Sequence, residues 1–404
     1  MRLISVFREI KSKDVTFLLL LGVVSSFPLV KVNPIFIFAL ITLQTGFIIY
    51  NRSLEFKVSN FFWFLMILFA LNFLGLLYSE NISRGTTIIT RQVSFLLFPL
   101  FYITYRIKNI TLLLKTYVVA IFAFTMVFEI HTLYRFFFQS NVFPLNLKLF
   151  LSFRHTGAEL TKLIEIHNAY FGMYIMFSNV IIISFLKKTQ NSYKLILLLL
   201  LLAFQSLFIL QMVAKTAIII NSSIIFFSLF YFSVRQKKMK TICFLLLLTL
   251  VLGWFAKNHL NLPFQRIAER FVELKAGDNT IRETRIKIWK SAVPIVKKHY
   301  LVGVGTGDVE NELHKEYEKR NISSRSNIHN QYLDYLIRFG CVGLFFFLFV
   351  LGFALRRAIK MKNYIYFCFT IIIMGCCFTE NILSRQWGIT FFACFNYILY
   401  IQKK

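Results

Sequence analysis

The 404-residue sequence is short of charge: 16% of its residues are charged, against roughly 25% in an ordinary soluble domain. Carboxylates are the scarcest, with 18 Asp and Glu beside 46 Lys and Arg. No repeat, low-complexity tract or linker marks off a separate soluble domain. No DxD-like carboxylate motif stands out as a metal site, and the six cysteines show no metal-ligand spacing. Apolar residues make up 57% of the chain, 49 of them Phe. A soluble fold cannot hide that much apolar surface from water. A soluble enzyme, a disordered chain and a secreted disulfide scaffold are therefore excluded, and an all-α integral membrane protein is expected.

The formal charge is +28. In a soluble protein that excess would point to nucleic acid. Here the cations sit in short clusters between hydrophobic runs, which points to membrane topology and to no nucleic-acid partner. All six cysteines, Cys243, Cys341, Cys368, Cys376, Cys377 and Cys394, fall in or beside hydrophobic segments as packing residues.

A spanning helix needs about 20 mostly apolar residues. About twelve runs approach that length: 15–32, 34–50, 60–78, 88–105, 112–134, 168–186, 193–213, 216–234, 241–256, 331–355, 364–380 and 387–402. The first has basic flanks but no small-residue cleavage site after it, so a retained helix is expected. Alternate loops carry the basic clusters, among them Arg106 and Lys108, Lys187 and Lys188, and Arg356 and Arg357. The other short loops hold only Lys31, Arg84, Arg91, Lys215 and Arg385. This bias predicts both termini in the cytoplasm. It also puts two long hydrophilic loops, about 135–167 and 257–330, on the outer side of a single multi-span domain covering 1–404.

The second long loop carries most of the chemistry. In TIRETRIKIWKSAV (280–293), Ile281, Ile288, Trp289 and Ala292 stand at helical spacing, and Arg282 and Arg285 are neighbours on the helix surface. The pattern predicts an amphipathic helix lying at the outer interface with Trp289 as anchor. Pro294 is expected to end or bend it. GVGTGD follows, with Gly303, Gly305 and Gly307. Its backbone N–H groups suit a phosphate, but without a βαβ context a flexible connector is the favoured reading. His329 and Asn330 then stand where the loop enters the tenth run. One reading makes His329 a polar cap; the other makes it a proton handler beside an anionic substrate. Lys115, Glu129, His131, His167, Lys215 and Glu380 lie inside or at the ends of runs. Ionisable residues there are functional candidates by default. Snorkelling to headgroups competes for Lys215.

Arg285-x-x-x-Trp289, GVGTGD, and His329-Asn330 followed nine residues later by Gly340-x-x-Gly343 resemble the O-antigen ligase and polymerase superfamily of bacterial envelope glycosyltransferases. Weaker echoes occur in LGLLYSENISRG (74–85), IHNAYFGMY (166–174) and FTENILSRQWG (378–388). The family places an arginine after a small residue at the start of a mid-chain span, where this chain has Lys215. Lysine keeps the charge but lacks the bidentate fork.

The resemblance implies about twelve transmembrane helices in a GT-C-like arrangement, sited in a bacterial inner membrane with the active site facing the periplasm. It implies an undecaprenyl-diphosphate-linked glycan as donor and lipid A-core, or another glycan, as acceptor, amid membrane lipids and without a cofactor. Arg285, Arg282 and Lys215 would neutralise the departing diphosphate. His329 would act as general base, with Asn330 orienting it or the acceptor, and no metal would be needed. The His-Asn element leans towards a ligase, with a polymerase as alternative. From another class, a polysaccharide or lipid-linked glycan transporter also fits the span count. The lack of repeats between halves speaks against it.

Overall fold

The structure is a computed structural model that describes residues 15–51, 58–107, 109–139, 143, 147–150, 153–235, 280–322 and 327–402. Among these residues all regular structure is helical. In chain order the helices are α1 (Val15–Ser25), α2 (Asn33–Asn51), α3 (Asn60–Leu77), α4 (Ile82–Gln92), α5 (Ser94–Thr104), α6 (Ile110–Tyr134), α7 (Asn168–Leu186), α8 (Ser192–Gln211), α9 (Lys215–Arg235), α10 (Thr280–Lys298), α11 (Val309–Lys319), α12 (Gln331–Lys360), α13 (Tyr364–Cys377) and α14 (Gln386–Ile401).

Against the twelve runs expected, eight of the described segments are long and apolar enough to cross a membrane, α4 and α5 together forming one of them. α1 and α13 are shorter apolar helices. The run at 241–256 lies outside the described residues.

The chain divides into two compact units, Met1–Ala120 with Thr284–Lys404, and Ile121–Glu283. Each has a helix that is apolar all round and buried, as such a pattern requires. In the first unit this is α14, buried continuously from Gly388 to Tyr400. It is short for a span but packs on protein rather than lipid. Phe391 and Phe395 meet Phe27 of the segment after α1 at 5.6 and 5.5 Å between ring centres, and Tyr117 packs edge-on to Phe395 at 5.0 Å. Each such aromatic pair adds about 0.5–1.5 kcal/mol beyond its buried area.

In the second unit the buried helix is α7, enclosed from Tyr170 to Ile183. Lipid supplies no hydrophobic drive between helices, so polar contacts contribute. Asn179 of α7 donates to Asn221 of α9 at 2.9 Å, and both donate to Ser206 of α8. One device thus ties all three helices.

α12 is two helices joined at a break. Gly340 has φ 64° and ψ −161°, a conformation open essentially to glycine alone. The break turns the Ile337 and Arg338 carbonyls outward, where the N–H groups of Val304 and Gly305 find them at 2.9 and 3.0 Å. Cys341 N–H donates back to Tyr300 at 2.7 Å. The 300–305 segment thereby crosses the broken helix as a short hydrogen-bonded strap.

Candidate functional site

The amphipathic pattern of α10 is present, but its apolar face meets protein. Ile288, Ala292 and Ile295 are buried in one cluster with Val304, Leu313, Ile328 and Ile337. This corrects the expectation of a helix lying on lipid. A period of 3.6 specifies an apolar stripe and leaves its partner unspecified. α10 also continues through Pro294 to Lys298. The proline removes one ladder bond, and the buried face on both sides of it holds the helix together.

The GVGTGD segment is neither a connector nor a phosphate cradle. Gly303 N–H donates to His299, Gly305 N–H to Arg338, and Gly307 N–H to Ser79 Oγ. Thr306 N–H reaches Gly75 at 3.0 Å and its hydroxyl reaches Asn72 at 2.7 Å. Asp308 accepts from Glu80 and Asn81 N–H, each at 2.8 Å. Their N–H groups are so occupied: Gly303 and Gly305 hold the loop to the end of α10 and to α12, while Thr306, Gly307 and Asp308 bind it to the end of α3 and the turn before α4. A Cβ at Gly303 would strike the backbone of α12, which explains glycine there.

Behind the loop lies a buried ion pair. Arg338 holds both oxygens of Asp334 at 3.0–3.2 Å and donates to the Thr306 carbonyl at 2.8 Å. Asp334 also accepts from Asn381 Nδ2 at 3.1 Å. The pair joins α12 to the glycine-rich loop and to the turn after α13. Its i, i+4 spacing was visible in the sequence, but the partners it joins were not.

On this frame residues 328–330 are pinned one after another. Trp289 Nε1–H donates to the Ile328 carbonyl at 3.0 Å. His329 N–H donates to Asn327 Oδ1 at 3.1 Å. Asn330 N–H donates to Asn381 Oδ1 at 2.8 Å. The Asn330 side chain caps α12, accepting from Leu333 N–H at 3.1 Å. His329 itself sits at φ 49°, in the left-handed region that non-glycine residues seldom occupy. Such conformations persist where the surroundings over-determine them, and they cluster at functional sites.

The imidazole so presented meets a carboxylate. His329 Nδ1 is 3.1 Å from Glu380 Oε2. The other oxygen of Glu380 is 4.0 Å from Arg285 Nη2 on α10. Glu380 is 12% exposed, His329 28% and Arg285 41%, so the trio runs from a nearly buried carboxylate to an open guanidinium. A carboxylate only accepts, so in this contact the imidazole donates through Nδ1–H. At 4.0 Å Arg285 feels the charge of Glu380 without committing its N–H groups to it.

The other residues singled out in the sequence occupy the following elements. Arg282 is in α10, with its side chain outside the described residues. Lys215 belongs to the second unit, half-buried as the first residue of α9 and two residues after Val213 at φ 51°. His167 caps α7, accepting from Ala169 N–H at 3.3 Å. Lys115 is exposed near the start of α6.

The described frame is that of a multi-span helical membrane protein with a cation, an imidazole and a carboxylate gathered at helix ends. Residues 196–348 match a protein-family model described as O-antigen ligase, which supports membership of the O-antigen ligase superfamily. The matched segment holds Lys215, Arg285, His329 and the Gly340-x-x-Gly343 break, and it ends before Glu380. No curated protein matches the chain.

Proposed function

We propose that the chain is a membrane glycosyltransferase that moves a glycan from a polyprenyl-diphosphate carrier to an acceptor hydroxyl, as an O-antigen ligase with lipid A-core as acceptor. The observation that carries this reading is the bridging of His329 and Arg285 by Glu380. A base and a phosphate-matching cation then stand on one carboxylate, which is the pairing the reaction needs.

The acceptor hydroxyl gives its proton to His329 Nε2 as its oxygen attacks the anomeric carbon. The bond from that carbon to the diphosphate breaks, and the lipid diphosphate leaves with the electron pair. Glu380 holds the imidazole in the useful tautomer and stabilises the imidazolium that forms. Arg285 meets the charge growing on the leaving group, because a guanidinium matches two phosphate oxygens at once. Arg282 and Lys215 are proposed as further diphosphate contacts. These cations do the neutralising, so the scheme uses no metal and no cofactor.

The reading puts the site on the periplasmic side of a bacterial inner membrane with both termini cytoplasmic, as the basic loops indicate. The test is glycan transfer by the purified protein, compared with His329→Ala and Glu380→Gln. Transfer to a second lipid-linked glycan in place of lipid A-core would make it a polymerase of the same superfamily.

A further inference from the structure

By the charge bias, five cations occupy outer short loops, where topology gives them no reason to be. Three of them, Arg84, Arg91 and Arg385, line one cavity of about 400 Å³ in the first unit. That size lies within the range of about 300–1,000 Å³ typical of small-ligand sites. Arg84 and Arg385 arrive on stretches that read alike, SENISRG at 79–85 and TENILSRQWG at 379–388. In each, a Glu-Asn-Ile turn leads towards a helix start, at α4 and at α14.

Arg338 is the fourth arginine of the wall, against two carboxylates, Glu310 and Asp334. Each carboxylate is already engaged, Glu310 by Arg84 and Asp334 by Arg338. Arg385 has no carboxylate partner among the described residues, so the wall favours a further negative charge there. The first turn of α14 opens here too, and Arg385 gives it no side-chain cap. Its N–H groups add to the anion preference.

The same cavity holds an aromatic ring and amides. Trp387 lines it beside Asn327 and Gln386. An indole offers a flat apolar face, and amides offer donors and acceptors. Together they match a sugar ring, whose C–H faces are apolar and whose edge is hydroxylated. Asn327 and Ile328 immediately precede His329, and Asn381 follows Glu380. The wall thus shares two chain stretches with the catalytic pair, although His329 and Glu380 do not themselves line it, and its cations are other than those assigned to the donor diphosphate.

We propose that this cavity is a subsite for an acidic sugar, one bearing a phosphate or a carboxylate, in the acceptor glycan. This rests on the transferase reading for the word acceptor, and on the cavity alone for the acidic sugar.

The test is calorimetric titration of the full chain in phosphatidylcholine nanodiscs with glucose 6-phosphate, glucuronic acid, glucose and inorganic phosphate. The two acidic sugars should bind at one site, with glucose weaker by about tenfold or more, the worth of one charge-assisted hydrogen bond. Arg385→Gln, at an exposed position, and Trp387→Ala should each weaken the acidic sugars by about tenfold. His329→Ala should bind them as the wild type does. In the transfer reaction Arg385→Gln should raise the acceptor KM and leave the donor KM unchanged.

Equal binding of glucose and glucose 6-phosphate, or unchanged binding in Arg385→Gln, overturns the proposal. Inorganic phosphate binding as tightly as the sugar phosphate, insensitive to Trp387→Ala, would mean a bare anion site. Loss of sugar binding in phosphatidylglycerol nanodiscs would mean a lipid-headgroup site. A raised donor KM would overturn the acceptor assignment. Sugar binding with no transfer by any variant would remove only the catalytic reading. His329-dependent transfer with no acidic-sugar binding would remove only this inference.

Discussion

His329 Nδ1 stands 3.1 Å from Glu380 Oε2, although 51 residues separate the two in sequence. The turn after α13 and the entry to α12 are brought together by Asn381, which accepts from Asn330 N–H and donates to Asp334. The carboxylate is therefore part of a built frame, and the division of labour around it is open to test.

Arg285→Lys keeps a charge but loses the planar fork. If the guanidinium grips the departing diphosphate, the rate should fall by about 10²-fold or more, by analogy with loss of one oxyanion donor. His329→Ala should cost about 10²–10⁴-fold as loss of a general base. Their pH–rate profiles separate the roles. Arg285→Lys should retain the wild-type acidic limb and His329→Ala should lose it, at equal protein level and membrane insertion.

The Asp334–Arg338 pair acts on stability. Asp334→Asn leaves the Arg338 guanidinium buried without its counter-charge, at a cost of about 3–5 kcal/mol. Replacing both, as Asp334→Leu with Arg338→Met, should cost less than the single change. Gly340→Ala should also lower the melting temperature, since a Cβ there would meet the Leu301 carbonyl and the φ of 64° is foreign to alanine. Thermal unfolding in detergent reads all three.

These pairings show where the sequence stops speaking. The apolar runs were legible because span length and hydropathy are local properties, and eleven of the twelve coincide with helical segments. Arg285 and His329 stood out by their spacing to Trp289 and Gly340. Glu380 appeared only as one ionisable residue among several, because its meaning depends on a partner 51 residues away. The spacing of Trp289 suggests a membrane anchor, whereas its N–H holds the Ile328 carbonyl. The glycine-rich loop looked like a connector because its acceptors, Gly75 and Ser79, lie more than 200 residues upstream. A close tertiary approach leaves no periodic trace in either segment.

His155 gives the second unit a pH response. It is buried between Phe136 and Phe150. Burial lowers its pKa from the ordinary 6.5, with Arg135 and Arg154 adding to the effect. The folded form therefore resists the proton that the unfolded chain accepts. The resulting stability is present above about pH 6.5 and is lost as the pH falls through that value towards the lowered one. His155→Phe should flatten this part of the acid dependence of thermal unfolding.

Topology has its own test. A reporter active only in the cytoplasm should be active when fused after Arg357 and silent when fused after Asn321, because the basic loops alternate with poorly charged ones. The reverse pattern would put the His329 site on the wrong side of the membrane.

The most direct measurement is glycan transfer by purified wild type and Glu380→Gln, given a polyprenyl-diphosphate glycan and lipid A-core, with melting temperatures matched. Glutamine keeps the shape but removes the charge that orients and stabilises the imidazole. The account predicts stoichiometric release of lipid diphosphate with the glycosylated product in wild type. In Glu380→Gln the rate should fall by about 10²–10⁴-fold, as when the carboxylate of a catalytic triad is neutralised. Transfer at the wild-type rate and with the wild-type pH profile in Glu380→Gln would contradict it.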